Sequence, residues 1–326
     1  MVKTGASFLV LLVATGLARS TGDWQKVVDA AKREGKVVLY SALVGAPSTE
    51  RVTEAFEAKY GIPVETLEAR ASELLERVRT EQASGRSLGD VSYNGSTATE
   101  RQEQDSVFVP HGGLPRAAGL AGSFTSDGTR LPAFVIHFGI LLNTELVKPQ
   151  DEPRSWKDLL GPRWKGQILA DDVHPVGSGS LFFQATYGKL GREFHEKLAA
   201  QDPSFTRDPR GSQRRVARGE YPLFLPSSLA AMKELEGLPV KTVVPSEGAV
   251  YVLYQAAIFK NAPHPNAARL FMDFLLSDEA QSIYVEDGYG PVVDSARKKA
   301  SVPPLLGTSE LATMAEMARL AKEIYK

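Results

Sequence analysis

Lys36-Val37-Val38-Leu39-Tyr40-Ser41 is followed by the loop Ala42 to Pro47 and then by Ser48-Thr49-Glu50-Arg51-Val52. The first six residues are rich in side chains that suit a pleated, half-buried surface, so a strand is predicted there. Val52, Ala55, Phe56 and Tyr60 recur at helical spacing, with Ser48 or Thr49 as the expected N-cap and Gly61-Ile62-Pro63 as the stop. A second strand over Val64 to Leu67 and a second helix carrying Leu74, Leu75 and Val78 come next. Upstream, Trp24, Val27, Val28 and Ala31 share a helical face, and Gly35 suits the left-handed residue beyond a helix end. Strands and helices alternating through short connections predict parallel pairing with right-handed crossovers.

The same rhythm continues downstream. Asp90 to Tyr93 reads as a short strand ending in a polar loop, Asn94 to Thr97. Phe134 to Leu142 is a long apolar strand containing His137 and Gly139, and Trp156 opens a second α/β set with a strand at Gln167 to Ala170. Helices are expected after Gly179 and Gly211, strands at Lys241 to Val244 and Val250 to Phe259, and one helix from Ala267 to Tyr284. Helical periodicity returns from Leu311 to Tyr325. Ligands bind beyond the carboxyl ends of strands in open α/β sheets, so Ser41 and the segment Asn94 to Thr97 are candidate site walls or solvated turns.

The chain has 326 residues, enough for two domains, with 43% hydrophobic and 24% charged residues and a formal net charge of −1. That balance provides no basic surface for nucleic acid. Residues 1–20 read as a cleavable signal peptide: Lys3 precedes the apolar run Phe8 to Ala14, and Ala18-Arg19-Ser20 brings small residues to the cut. With zero cysteines the chain has neither disulfides nor the cysteine that a lipoprotein anchor needs, so a soluble periplasmic protein is expected.

Catalytic signatures are missing. There is no G-x-S-x-G elbow, Walker loop, complete G-x-G-x-x-G or H-E-x-x-H, and the five histidines are scattered without a metal-ligand spacing. Asp171-Asp172 and Glu286-Asp287 read as solvated charge, and no cofactor is expected. The one loop that points to chemistry is Gly177-Ser178-Gly179-Ser180 before Leu181-Phe182-Phe183. Its glycines and serines at a helix start either cap the helix or seat an anion on unpaired N–H groups.

Several segments together resemble the type 2 periplasmic binding proteins of ABC importers, specifically the ferric-ion-binding protein family. They are Ser155-Trp156-Lys157-Asp158-Leu159-Leu160, Trp164-Lys165-Gly166, Gly219-Glu220-Tyr221-Pro222, and Ala262-Pro263-His264-Pro265-Asn266-Ala267-Ala268 with Phe274-Leu275-Leu276-Ser277. The resemblance covers nearly all of the chain after residue 20. It implies a two-lobed α/β periplasmic binding protein fold, each lobe an α/β sandwich, with a two-strand hinge near Ile136–Leu142 and Val243–Leu253 and the ligand in the cleft between the lobes. The expected division is 21–136 plus 244–290 for lobe 1 and 137–243 for lobe 2, with 291–326 as C-terminal helices assigned to neither.

The family's iron ligands do not carry over. Its tyrosine pair falls on Ser227-Ser228, its histidine near Gly45 and its carboxylate near Gly95, and neutral hydroxyls are poor donors to a hard cation. No metal ligand is therefore assigned. The family's anion loop does match, at Ser178, Gly179 and Ser180, and Arg70 falls where relatives face the cleft and would offer a bidentate partner to phosphate or carboxylate. Ser41, Ser96, Thr97 and Ser227 are the expected neutral contacts and Arg210 a further cation, while a solvated surface role stays open for both arginines. The resemblance thus implies a non-enzymatic, monomeric substrate-binding component that takes a small organic anion and docks on an inner-membrane ABC permease. The alternative is a ferric-ion or ferric-chelate binder. An exported enzyme and a carrier for a membrane chemoreceptor are the rival classes.

Overall fold

The computed structural model describes residues 23–326, so the signal-peptide reading of 1–20 lies outside the described residues. Helix α1 covers residues 23–34 and stops at Gly35, whose φ of 82° lets its N–H reach Ala31 O at 3.1 Å. There follow β1 (Val37–Ser41), α2 (Pro47–Tyr60), β2 (Val64–Glu68), α3 (Ala71–Ala83), β3 (Val91–Gly95), α4 (Ser96–Gln104) and β4 (Phe108–Val109). The middle of the chain forms β5 (Leu131–Asn143), β6 (Ile168–Asp171), α5 (Ser178–Ala199), β7 (Ser204–Thr206), α6 (Pro209–Ala217), β8 (Leu223–Ser228), β9 (Val240–Val243) and β10 (Ala249–Phe259). The C-terminal part holds α7 (Pro265–Leu275), α8 (Asp278–Glu286), β11 (Gly290–Pro291), α9 (Asp294–Arg297), β12 (Leu305–Gly307) and α10 (Met314–Ile324).

Four boundaries differ from the sequence reading, each for a local reason. Helix α2 begins at Pro47 rather than behind a Ser48 or Thr49 cap, because proline at the first helical position loses no hydrogen bond there. Asn94 and Gly95 finish β3, so Ser96 and Thr97 open a helix instead of lying in a loop. Helix α6 starts at Pro209, ahead of Gly211, since Asp208 caps it by accepting the Gly211 N–H at 2.9 Å. The expected helix from Ala267 to Tyr284 is two helices, because the Ser277 hydroxyl accepts the Ala280 N–H at 3.2 Å and starts a new one.

The chain divides into two compact units. The described part of the first is 23–94, 102–131 and 255–280; the second is 95–101, 132–254 and 281–326. In the first unit β2, β1 and β3 are parallel, with Ser41 paired to Glu68 on one side and to Tyr93 on the other, so these three stand in a row at the carboxyl ends. The edge strand β4 runs antiparallel to the end of β10, Phe259 opposite Phe108. Helix α2 meets α7 through Phe56, which sits edge-on to Phe271 at 5.2 Å and Phe274 at 5.6 Å. The segment Ala262–Ala268 is pinned by two carboxylates. Asp90, fully buried, accepts the N–H groups of Val38 and His264 at 2.7 Å each. Glu34 accepts from Asn266 N and Ala267 N at 2.9 and 2.8 Å, capping α7.

The second unit is built on parallel β7, β6 and β8, with β5 antiparallel to β8 and β9 antiparallel to β5. Trp156 anchors its core against Phe182, ring centroids 5.0 Å apart, and satisfies its indole N–H on Gly248 O at 3.0 Å. Helix α10 packs on α5 through Phe183, Leu320, Ala321 and Tyr325. Beneath it the buried His195 bonds Tyr325 Oη at 2.8 Å and Thr186 Oγ1 at 3.0 Å. The α/β fold class expected from the sequence is the one observed.

Candidate functional site

In the first unit the strand ends place Ser41 and Arg70 close in sequence register. Ser41 is fully buried; its hydroxyl accepts the Leu43 N–H at 3.2 Å and its carbonyl accepts the Ala69 N–H at 3.2 Å, which turns both chain segments at the sheet's carboxyl edge. Gly45 N donates to Glu68 Oε2 at 2.7 Å, so the loop after β1 is closed from within. Arg70 is the N-cap of α3, exposed, with its own N–H on Glu73 Oε2 at 3.2 Å; its guanidinium pairs with no acid among the described residues. A cation beside the positive end of a helix dipole is locally unfavourable, and a bound anion would relieve it. Tyr93 is buried core, and Asn94 keeps an enclosed Oδ1 without a partner while its amide donates to Ser92 Oγ at 3.1 Å.

In the second unit the loop Gly177–Ser180 stands where β6 hands over to α5, again at a carboxyl end. The expectation of unpaired donors there needs correction. Ser178 Oγ and Gly179 N both donate to Asp171 Oδ2, the latter at 2.9 Å. Ser180 Oγ bonds back to Gly177, accepting its N–H and donating to its carbonyl at 3.0 Å each. A carboxylate of the chain therefore occupies donors that an external anion would use. Asp171 is only 7% exposed, so reading it as solvated charge is also corrected. Burial pushes its carboxyl above the usual range, against the pull of Ser178 and Gly179. Burial pushes Asp172 the same way, but the His174 N–H and the Arg207 guanidinium outweigh it and hold that carboxyl low.

The remaining sequence-predicted residues are more dispersed. Ser96 and Thr97 are half-buried in the first turn of α4, where the Thr97 hydroxyl meets Ser309 Oγ at 3.1 Å. Ser227 is fully buried at the end of β8 and accepts from Gln213 Nε2 at 3.3 Å, so a ligand contact through its hydroxyl is not available in this arrangement. Arg210 forms an ion pair with Glu234 at 3.2 Å, with both side chains about half exposed, a geometry worth little. The structure keeps Arg70 and Ser41 together in one unit and the other candidates in the second.

Sequence reading missed two buried polar side chains, Asp171 and His137. An acid at the last residue of a strand, before a serine-glycine helix start, was the available signal for Asp171. No sequence signal distinguished His137 within its apolar run. Among the described residues no group of three or more His, Cys, Asp or Glu could hold a metal ion, and no helix is long and apolar enough to cross a membrane.

Residues 90–306 match the family described as bacterial extracellular solute-binding protein. Iron uptake protein A1 of Synechocystis is 25% identical over 308 residues, spanning 88% of this chain and 84% of that protein. The Trichodesmium protein IdiA (FutA), solved with iron and citrate, superposes with a TM-score of 0.73 at 20% identity, over 90% of this chain and 100% of that one. AfuA of Actinobacillus pleuropneumoniae, solved with fructose-6-phosphate, gives 0.65 at 21% identity, over 89% and 96%.

Proposed function

The chain belongs to the bacterial extracellular solute-binding proteins, and from that premise we propose that its solute is a small organic anion bearing phosphate, phosphonate or carboxylate groups. A structural neighbour from Agrobacterium tumefaciens is the substrate-binding protein of an ABC transporter, which supports reading this chain as the substrate-binding component of an ABC importer rather than an enzyme. The observation that carries the anionic reading is Arg70. It is an exposed guanidinium without an acidic partner among the described residues, at the N-terminus of α3 and the carboxyl edge of a parallel sheet. Ser41 lies at the same edge; in the second unit Ser96 and Thr97 keep partial exposure, as do Ser178 and Ser180. Within the second unit, Ser178 and Gly179 would be open to an anion only after Asp171 releases them. The protein is further proposed to act as a periplasmic monomer after loss of residues 1–20.

A second reading is favoured by the iron and citrate of the Trichodesmium relative: the cargo is ferric iron held in a carboxylate chelate. With Ser227-Ser228 at the family's tyrosine positions, the chelator would supply the oxygen donors that this chain lacks.

A thermal-shift series with inorganic phosphate, fructose 6-phosphate, citrate and ferric citrate tests both. A ligand at about 100 times its Kd should add about 2.7 kcal/mol of stability. Arg70→Ala should weaken that ligand about 10- to 100-fold while the fold is retained, as expected for a lost charged hydrogen bond. Unchanged affinity removes Arg70 from the site. Stabilisation by ferric citrate well beyond citrate alone selects the chelate.

A further inference from the structure

Strand β5 changes partners in its middle. Val135 is paired with Gly290 of β11, whereas from Phe138 onward the strand pairs with β8, Phe138 opposite Ser228. Ile136 and His137 fall at the changeover, and a cavity of about 230 Å³ opens there within the second unit. Its walls include His137, Leu229, Val285, Tyr289, Ser301 and Pro303. No Asp, Glu, Lys or Arg side chain lines it.

His137 is 2% exposed, its Nε2 is enclosed without a partner, and its ring makes no hydrogen bond with any described residue. Gly290 is what admits the ring, since a Cβ there would overlap His137 Cε1. Buried polar groups in folded proteins are nearly always paired, so an unpaired imidazole beside a cavity marks a missing partner. Burial lowers the ring's pKa to about 4, with Arg297 adding a smaller push, so the imidazole is neutral at physiological pH. A neutral ring offers one N–H and one lone pair. Carboxylates and phosphates can use only the first and ammonium groups only the second, whereas a hydroxyl can answer either. The cavity equals roughly eight water-sized volumes at about 30 Å³ each, too large for one ordered water and below the usual range for drug-sized ligands.

We propose that this cavity binds a small neutral hydroxyl-bearing molecule of polyol type, with a hydroxyl on the His137 ring and its carbon frame against Leu229, Val285 and Pro303. Ser301 adds a second hydroxyl at the wall. The site lies in the second unit and does not involve Arg70, so it stands or falls independently of the anion reading.

The test is ring-nitrogen and methyl NMR on the whole isotopically labelled protein, titrated with glycerol and, separately, with inorganic phosphate. Glycerol should shift the His137 ring nitrogens and the Val285 methyls saturably, and phosphate should leave both in place. His137→Leu should weaken the glycerol response at Val285 about tenfold, while His137→Gln, which keeps a donor and an acceptor, should stay within about threefold of the native protein. Silence of both signals toward glycerol overturns the proposal, as does a response to phosphate in place of glycerol. Equal glycerol affinity in the Leu variant overturns it too. Arg70→Ala should leave the glycerol titration unchanged, which separates failure here from failure of the anion reading.

Discussion

A carboxylate set against a helix end satisfies the same donors that a bound anion would, and Asp171 occupies that position at α5. Asp171→Ala leaves the Ser178 hydroxyl and the Gly179 N–H without their acceptor, and should cost about 1–3 kcal/mol of stability in urea unfolding. Asp171→Asn keeps an acceptor oxygen and should cost less than about 1 kcal/mol. Equal losses for the two would show that charge, not acceptor geometry, holds the loop. At this scale the residue types were legible but their employment was not. Ser227 and Ser178 are hydroxyls in the expected places, yet each is already bonded to a residue distant in sequence or on another element. Arg70 differs because a long side chain at an exposed N-cap stays in solvent, so its availability follows from local sequence.

Elements were easier to read than their joints. The strand over 37–41, the helix ending at Tyr60 and the helix bearing Leu74 and Val78 emerge where hydrophobic spacing places them. Joints failed where one side chain's hydrogen bond decides the boundary, as Ser277 does between α7 and α8. The cap of α7 is a further case: the acceptor is Glu34, over two hundred residues upstream, which no window around Asn266 can find. Glu34→Ala should destabilise the protein by about 1–2 kcal/mol, the range for loss of a helix cap. An unfolding midpoint in denaturant that matches the native protein would show that water replaces Glu34 without cost.

At the scale of the whole molecule, stability should fall on mild acidification. Burial lowers the His137 pKa to about 4 and that of His195 to about 3, from 6.5 in an open chain. The unfolded chain therefore takes up protons on both rings below about pH 6.5, where the folded chain does not. Stability is full above that value and is lost as pH drops toward the folded values, by about 2 kcal/mol per histidine between pH 6.5 and 5. Calorimetry across that window should show a falling Tm, and His195→Phe should flatten the slope. A Tm independent of pH above 5 would contradict neutral burial of these rings.

Apolar periodicity and the order of strands and helices determined, without coordinates, that this is an α/β chain, because those signals are local and repeat along the sequence; its solute-binding character was legible only through its resemblance to a known family. Residues 90–306 match the bacterial extracellular solute-binding protein family. Tertiary structure alone decided that Asp171 fills the glycine-serine loop first read as an open anion seat, that Ser227 is enclosed, and that a gap opens beside His137 where β5 exchanges partners. Each is a question of which distant group satisfies a buried polar atom, and sequence neighbours carry no record of that pairing.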